Sequence, residues 1–250
     1  KDARGIAQLM RLGWFRPVHC KSLAAQEVRA LLTARKLIQG KLHDIEMSIR
    51  SILRGFGLKV GPTTRRTYAA RICELIEGHP TLEAIAASLL KARDALADEF
   101  ACFERKLRVI ARQDDKARRL MTTPGVGVLV ALTFAAAVDA PERFRTSRAV
   151  GPHFGLTPKK YQSGETDYSG RISKIGDVGV RTALYEAANV ILTRPVKGSD
   201  LKTWALAVAR RAGPRKARVA LARKLAVVLH RMLRDGTNFL PRKAAPAMAG

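Results

Sequence analysis

Three serines, Ser163, Ser169 and Ser173, fall within eleven residues of a polar, glycine-rich stretch that also carries Lys159, Lys160, Arg171 and Lys174. A serine hydroxyl titrates far above neutral pH and is a weak nucleophile until something activates it. Four cations around such a hydroxyl would offset the charge of a phosphate brought to it. Residue type alone leaves the three serines as competitors, and leaves each as an ordinary turn residue too. Gly164, directly after Ser163, allows close backbone approach to a substrate and modestly favours that serine. Residues 155–177 read as a long loop or irregular hairpin, and such loops inside compact domains tend to carry function.

Two further patterns suit phosphate. Thr123-Pro124-Gly125-Val126-Gly127 precedes an apolar run to residue 138 and resembles the hairpin of a helix-hairpin-helix. Gly125 and Gly127 would let the backbone approach a phosphate, and the next helix would offer free N–H groups and the positive end of its dipole. Contact of this kind binds without reading base sequence. The second pattern is the run 210–224, with Arg210, Arg211, Arg215, Lys216, Arg218, Arg223 and Lys224 and no acid. A basic face without counter-charges favours phosphate contact over a merely solvated surface.

The whole composition agrees. In 250 residues, 46 Lys and Arg face 21 Asp and Glu, a net charge of +25. The surplus is +15 over residues 140–250 and +10 over 1–139. One small anionic substrate does not call for that surplus; a polyanion does, and nucleic acid is the default. Hydrophobic residues at 47% allow a buried core. Three distant cysteines, Cys20, Cys73 and Cys102, suit a reducing compartment and no disulfide framework. The five histidines do not pair with them at zinc-finger spacing. The longest apolar stretch, 126–138, is too short to span a bilayer. No signal peptide is expected, and the chain opens at Lys1 without an initiator Met, as a piece of a longer protein would.

The elements that must position these groups read as helices. Val28, Leu31, Arg35, Ile38, Leu42, Ile45, Ile49, Ile52 and Phe56 alternate steps of three and four, a heptad seam over a helix from 22 to 55. Pro80 precedes a second seam, Leu82, Ile85, Leu89, Ala92, Leu96, Phe100, Phe103, Leu107 and Ile110. The two would pair as an antiparallel hairpin, or each with another subunit, with an ordinary helical core as the plainer alternative; the seams are expected to make a dimer or higher homo-oligomer. Asp114 and Asp115 suit the cap of a short helix. Further helices are expected over about 178–192, 201–212 and 215–233, with Arg181 off the apolar stripe of the first. No strand signal stands out. The fold class is mainly α: long coiled-coil helices, then a helical domain with a helix-hairpin-helix and an irregular Gly-rich loop.

In order along the chain, Thr123-Pro124-Gly125-Val126-Gly127, Phe154-Gly155-Leu156-Thr157-Pro158, Gln162-Ser163-Gly164 and the run 170–177 through Arg181 resemble the C-terminal domain of transposases of the insertion-sequence 110 family. Asp2-Ala3-Arg4-Gly5-Ile6-Ala7 resembles the run after the last acid of that family's RuvC-like domain. The resemblance implies a RuvC-like nuclease domain with four metal-binding acids, a coiled coil and a C-terminal domain with a serine nucleophile. It implies Asp2 as the last acid, a ligand of Mg2+ or another divalent metal, and Ser163 as the nucleophile. The other three acids would lie upstream of Lys1, so this chain alone is expected to be inactive. The implied function is cutting and rejoining DNA strands by serine attack with metal help. The implied partners are DNA and a structured guide RNA, in the bacterial cytoplasm at the nucleoid. The alternative is an inactive helical nucleic-acid-binding protein. The expected divisions are 1–61 (end of the RuvC-like domain with the long helix), 62–112 (coiled-coil helix), 113–240 (transposase domain) and 241–250 (disordered tail).

Overall fold

The computed structural model describes residues 2–15, 18–195 and 199–241; the expected tail lies outside the described residues apart from Pro241. Among the described residues the chain is mainly helical with one two-stranded sheet. A short helix, α1 (Asp2–Arg11), precedes α2 (Leu23–Gly55). Ser22 caps α2, its hydroxyl accepting from the Ala25 N–H at 3.3 Å. The small helix α3 (Tyr68–Ile76) leads to α4 (Pro80–Gln113), which starts with proline at its first turn, where no N–H is needed.

The two seams face each other within the chain. Arg35 pairs with Glu104, and Arg93 Nε donates to Glu46 Oε1 at 2.9 Å. Advance along α2 is therefore matched by retreat along α4, so the helices form an antiparallel hairpin. Its far end has its own core of Ile49, Leu53, Val60, Tyr68, Ile72, Ile76, Leu82, Ala86 and Leu90. The second seam is offset there: Ala86, Leu90 and Arg93 turn inward, while Ile85 and Ala92 face out. Leu82, Ala86, Leu90 and Arg93 follow the period of a straight helix, which drifts from a strict heptad where α3 intervenes.

The second core begins at the other end of the hairpin. Asp114 caps α5 (Asp115–Met121), its carboxylate accepting from the Lys116 N–H at 2.8 Å. Then come α6 (Val128–Val138), two single 3-10 turns (Pro141–Arg143 and Ser147–Ala149), and α7 (Val150–His153). Strands β1 (Pro158–Ser163) and β2 (Thr166–Ile172) are followed by α8 (Val178–Thr193), α9 (Asp200–Ala212) and α10 (Pro214–Asp235). Helix α6 is apolar on every side and packs at the centre, against α2, α4, α5 and α8. Leu132, Phe134, Phe154, Leu184, Ile191, Leu221 and Leu225 are fully buried around it.

A polar junction fixes α2 on this core. Asp139 stands at the end of α6 with φ +60° and ψ −75°, near the strained γ-turn. Its carboxylate accepts from the Ser22 N–H (2.8 Å), the Ser22 hydroxyl (2.7 Å) and His19 Nε2 (2.9 Å). Burial pushes the Asp139 pKa up, but these hydrogen bonds outweigh it and hold it down to about 2. Lys21 Nζ donates to the Ala137 carbonyl at 2.8 Å.

Candidate nucleic-acid interface

Where a loop or irregular hairpin was expected, residues 158–172 form an antiparallel β-hairpin. Ser163 pairs with Thr166 across a two-residue turn, Gly164-Glu165. Only the first turn residue, Gly164 (φ +55°), has positive φ, the pattern of a type II′ hairpin turn. The strand signal is weak because every residue of β1 is exposed, so no apolar alternation marks it.

The hairpin's base is pinched shut. Ser173 N–H donates to the Thr157 carbonyl at 2.9 Å, and Lys174 N–H to the Gly155 carbonyl at 3.1 Å. Gly155 has φ +65°, and a Cβ there would lie 2.3 Å from the Ile175 carbonyl oxygen. Only glycine permits that crossing. Arg181 Nη1 donates to the carbonyls of Phe154 (3.3 Å), Ile175 (2.9 Å) and Gly176 (3.0 Å). Arg181 thus clamps the hairpin's base. Asp177 caps α8 and pairs with Arg29 of α2 at 2.6 Å. Burial pushes the Asp177 pKa up, but the Arg29 hydrogen bond and charge outweigh it and lower it.

Ser163 therefore ends β1 at the tip of a protruding, anchored hairpin, and Ser169 and Ser173 fall elsewhere on it. Pairing places Ser163 and Thr166 on one face with Tyr161 and Tyr168. Lys160 and Ser169 lie on the other face, with Gln162 donating to Asp167 at 3.3 Å. The register shifts between Pro158 and Lys160, next to Lys159 and Arg171. Lys174 has φ +58° and lines a groove of about 300 Å³ with Leu156, Ile172, Arg181, Tyr185 and Val219.

That groove connects the hairpin to α10. Arg215 and Lys216 are exposed on the first turn of α10, and Arg218 is half-buried with its Nε unpartnered. Val219, the next residue, lines the groove under Lys174. Arg210 and Arg211 sit exposed on the last turn of α9, just before the Gly213-Pro214 corner. The structure divides the basic run. The Arg223 stem packs on Gly151, and Lys224 Nζ lies 4.0 Å above the Trp204 ring.

The Pro-Gly-Val-Gly turn joins α5 to α6. Gly125 has φ +77°, and a Cβ there would come 2.7 Å from the Ala187 carbonyl of α8. Its first duty is close packing, which the sequence pattern did not reveal. Gly127 is the exposed N-cap of α6, with open space around its Cα. Asp2 is exposed on α1, and among the described residues no group of three His, Cys, Asp or Glu side chains could hold a metal ion. The described residues do not make a divalent-metal site.

A family model for the transposases described as the IS116/IS110/IS902 family matches residues 117–203, from α5 through the hairpin into α9. The chain is 30% identical over 241 residues to the transposase for insertion sequence element IS1111A of Coxiella burnetii, covering 93% of this chain and 65% of that protein. Over this region and nearly its whole length the chain is therefore similar to transposases of the IS110 type. It is also 28% identical over 249 residues to a probable family 20 transposase of Pseudomonas aeruginosa (96% of this chain, 73% of that protein). A putative transposase of Sinorhizobium fredii, y4pF/y4sB, is 26% identical over 244 residues (95% and 62%). The chain thus spans less than two-thirds of the length of two of these three relatives.

Proposed function

We propose that this chain is the DNA-handling part of a transposase that cuts and rejoins strands through Ser163. One observation carries the reading: within the family-matched region, Ser163 stands at the exposed tip of a hairpin whose base is fixed by Arg181, with Lys159, Lys160, Arg171 and Lys174 along it. In the reaction the Ser163 Oγ bonds to a backbone phosphorus as the P–O bond to the neighbouring nucleotide breaks. The Oγ proton ends on the departing hydroxyl, and the phosphoserine link keeps the bond energy for rejoining. The lysines and arginines offset phosphate charge, and a protruding hairpin reaches a groove without moving the core. The basic α9–α10 corner is proposed to hold flanking phosphates. Its placement supports this: α10 begins with Arg215 and Lys216 and no acid, cations at the end of the helix dipole that favours anions. The start of α6 at Gly127 is proposed as a further phosphate contact of helix-hairpin-helix type. A guide RNA is an additional proposed ligand of the same basic surface.

A divalent metal, which the family resemblance implies, would need carboxylates beyond Asp2, so no step here runs through it. The second reading, a binding module without activity of its own, is favoured by that same isolation of Asp2. The test joins the chain to a domain supplying the other acids and offers labelled DNA, followed by denaturing electrophoresis. A covalent adduct is expected, lost in Ser163→Ala with DNA binding nearly intact, and absent from the 250-residue chain alone. An adduct that persists in Ser163→Ala, or maps to Ser169 or Ser173, refutes the assignment.

A further inference from the structure

Tyr161 and Tyr168 do nothing for the core. They face each other across the hairpin with ring centroids 4.9 Å apart and planes 16° from parallel, and they remain 46% and 56% exposed. The Tyr161 ring also lies over Gly170, where a Cβ would come within 2.8 Å of it. Tyr161 is thus held by the hairpin itself. Tyr168, by contrast, stacks on Tyr161 and is the more exposed of the two. The pair shares its face with Ser163, which lies two residues beyond Tyr161, about 7 Å along the strand. Cations flank it along the hairpin: Lys159, Arg171 and Lys174 toward the base, and Lys160 on the opposite face. Exposed aromatic rings among cations are how proteins hold unpaired nucleic acid, because every base has a face to stack.

We propose that the Tyr161–Tyr168 stack is a base platform that takes an unstacked nucleobase of the DNA strand beside the phosphate attacked by Ser163. The proposal rests on the Ser163 reading for its choice of DNA, since the platform and the hydroxyl share one face. Tyr161 is the fixed support and Tyr168 the contacting ring. Stacking is indifferent to base identity, so the platform holds position without adding sequence preference. Holding an unstacked base fixes the backbone beside it and so positions the adjoining phosphate for an attacking serine at the hairpin tip.

The test uses the full 250-residue chain and three probes: an intact DNA duplex, the same duplex with a short gap exposing unpaired nucleotides, and single-stranded RNA of the gap sequence. Affinities come from fluorescence anisotropy at one fixed salt concentration. Tyr168→Ala is expected to weaken binding to the gapped duplex about fivefold or more, the effect of losing one base stack. Binding to the intact duplex should change less than about twofold, since phosphate contacts carry it, and Tyr168→Phe should restore the gapped-duplex affinity. Neither tyrosine enters either core, so the thermal melting of Tyr168→Ala should match the parent. No loss in Tyr168→Ala, equal loss on gapped and intact duplex, or a loss confined to RNA overturns the platform. Failure of the serine reading is seen separately: binding would still depend on Tyr168 while the adduct survives Ser163→Ala.

Discussion

His230 illustrates how much a single buried side chain decides in this fold. It is fully buried, with Nε2 3.0 Å from the Pro141 carbonyl and Nδ1 3.0 Å from the Ser147 hydroxyl. A carbonyl only accepts, so Nε2 carries the proton and Nδ1 accepts from Ser147. Burial lowers the His230 pKa, and burial beside Arg143 and Lys21 lowers that of His153. Both imidazoles resist protonation in the folded chain more than in the unfolded one. For the buried His230, stability should therefore be full above about pH 6.5 and fall as pH drops below it, by up to about 1.4 kcal/mol per pH unit, with exposed His153 adding less. Thermal melts from pH 7.5 to 5 should show this slope, and His230→Gln should flatten it. Asp139 acts in a lower window. Its pKa is depressed to about 2, so its contribution is present above about pH 4 and lost as pH falls toward 2. Asp139→Asn keeps a residue tolerant of positive φ and one acceptor oxygen, and loses the charge and the other acceptor. It should destabilise less than Asp139→Ala, measured by urea titration near neutral pH.

At the scale of elements, the long hairpin depends on Arg93. This guanidinium is buried, donates to Glu46, Asp94 (2.8 Å) and the Arg65 carbonyl (3.1 Å), and lies 4.9 Å from the Tyr68 ring centre. Arg93→Met would leave Glu46 without its partner and should cost about 3 kcal/mol, read from denaturant unfolding. The seams also change what a charge in them would do. Ile49 is buried within the chain's own distal core, so Ile49→Asp should unfold that end of the hairpin rather than separate subunits. Circular dichroism would report it as lost helix. If Ile49→Asp instead kept its helix content while a dimer fell apart, the pairing of α2 with α4 within one chain would be wrong.

For the whole molecule, the net charge of +25 would govern how it meets the DNA proposed as its ligand. The logarithm of the binding constant should fall steeply and linearly with the logarithm of salt concentration. Replacing Arg215 and Lys216 by Gln should lower that slope by about one for each phosphate contact removed. A flat salt response would sink the proposed interface. A homo-oligomer remains a proposal, and its support has moved. With the seams paired within one chain, an exposed apolar cluster among the described residues lies on and after α1, at Ile6, Leu9, Met10, Trp14 and Phe15. Among the described residues, no helix is long and apolar enough to cross a membrane.

The sequence by itself determined the helical class, the bounds of most helices and the order of the family's motifs, because these are local: heptad spacing, Pro80 ahead of the second seam, Asp114 before a short helix. Net charge, too, needs no coordinates, and the surplus of +25 is the ground on which a polyanion partner is proposed. Tertiary structure alone decided which seam faces which, because an apolar stripe is equally satisfied by a partner in the same chain or another. It alone showed the β-hairpin, whose exposed strands lack an apolar alternation to betray them. It separated Arg181, spent on three carbonyls, from Arg215 and Lys216, which face solvent. It showed that Gly125 serves contact with α8, and that Tyr161 and Tyr168, seven residues apart in sequence, stack beside Ser163. Each of these depends on which distant backbone passes within a few ångströms, and spacing along the chain carries no record of that.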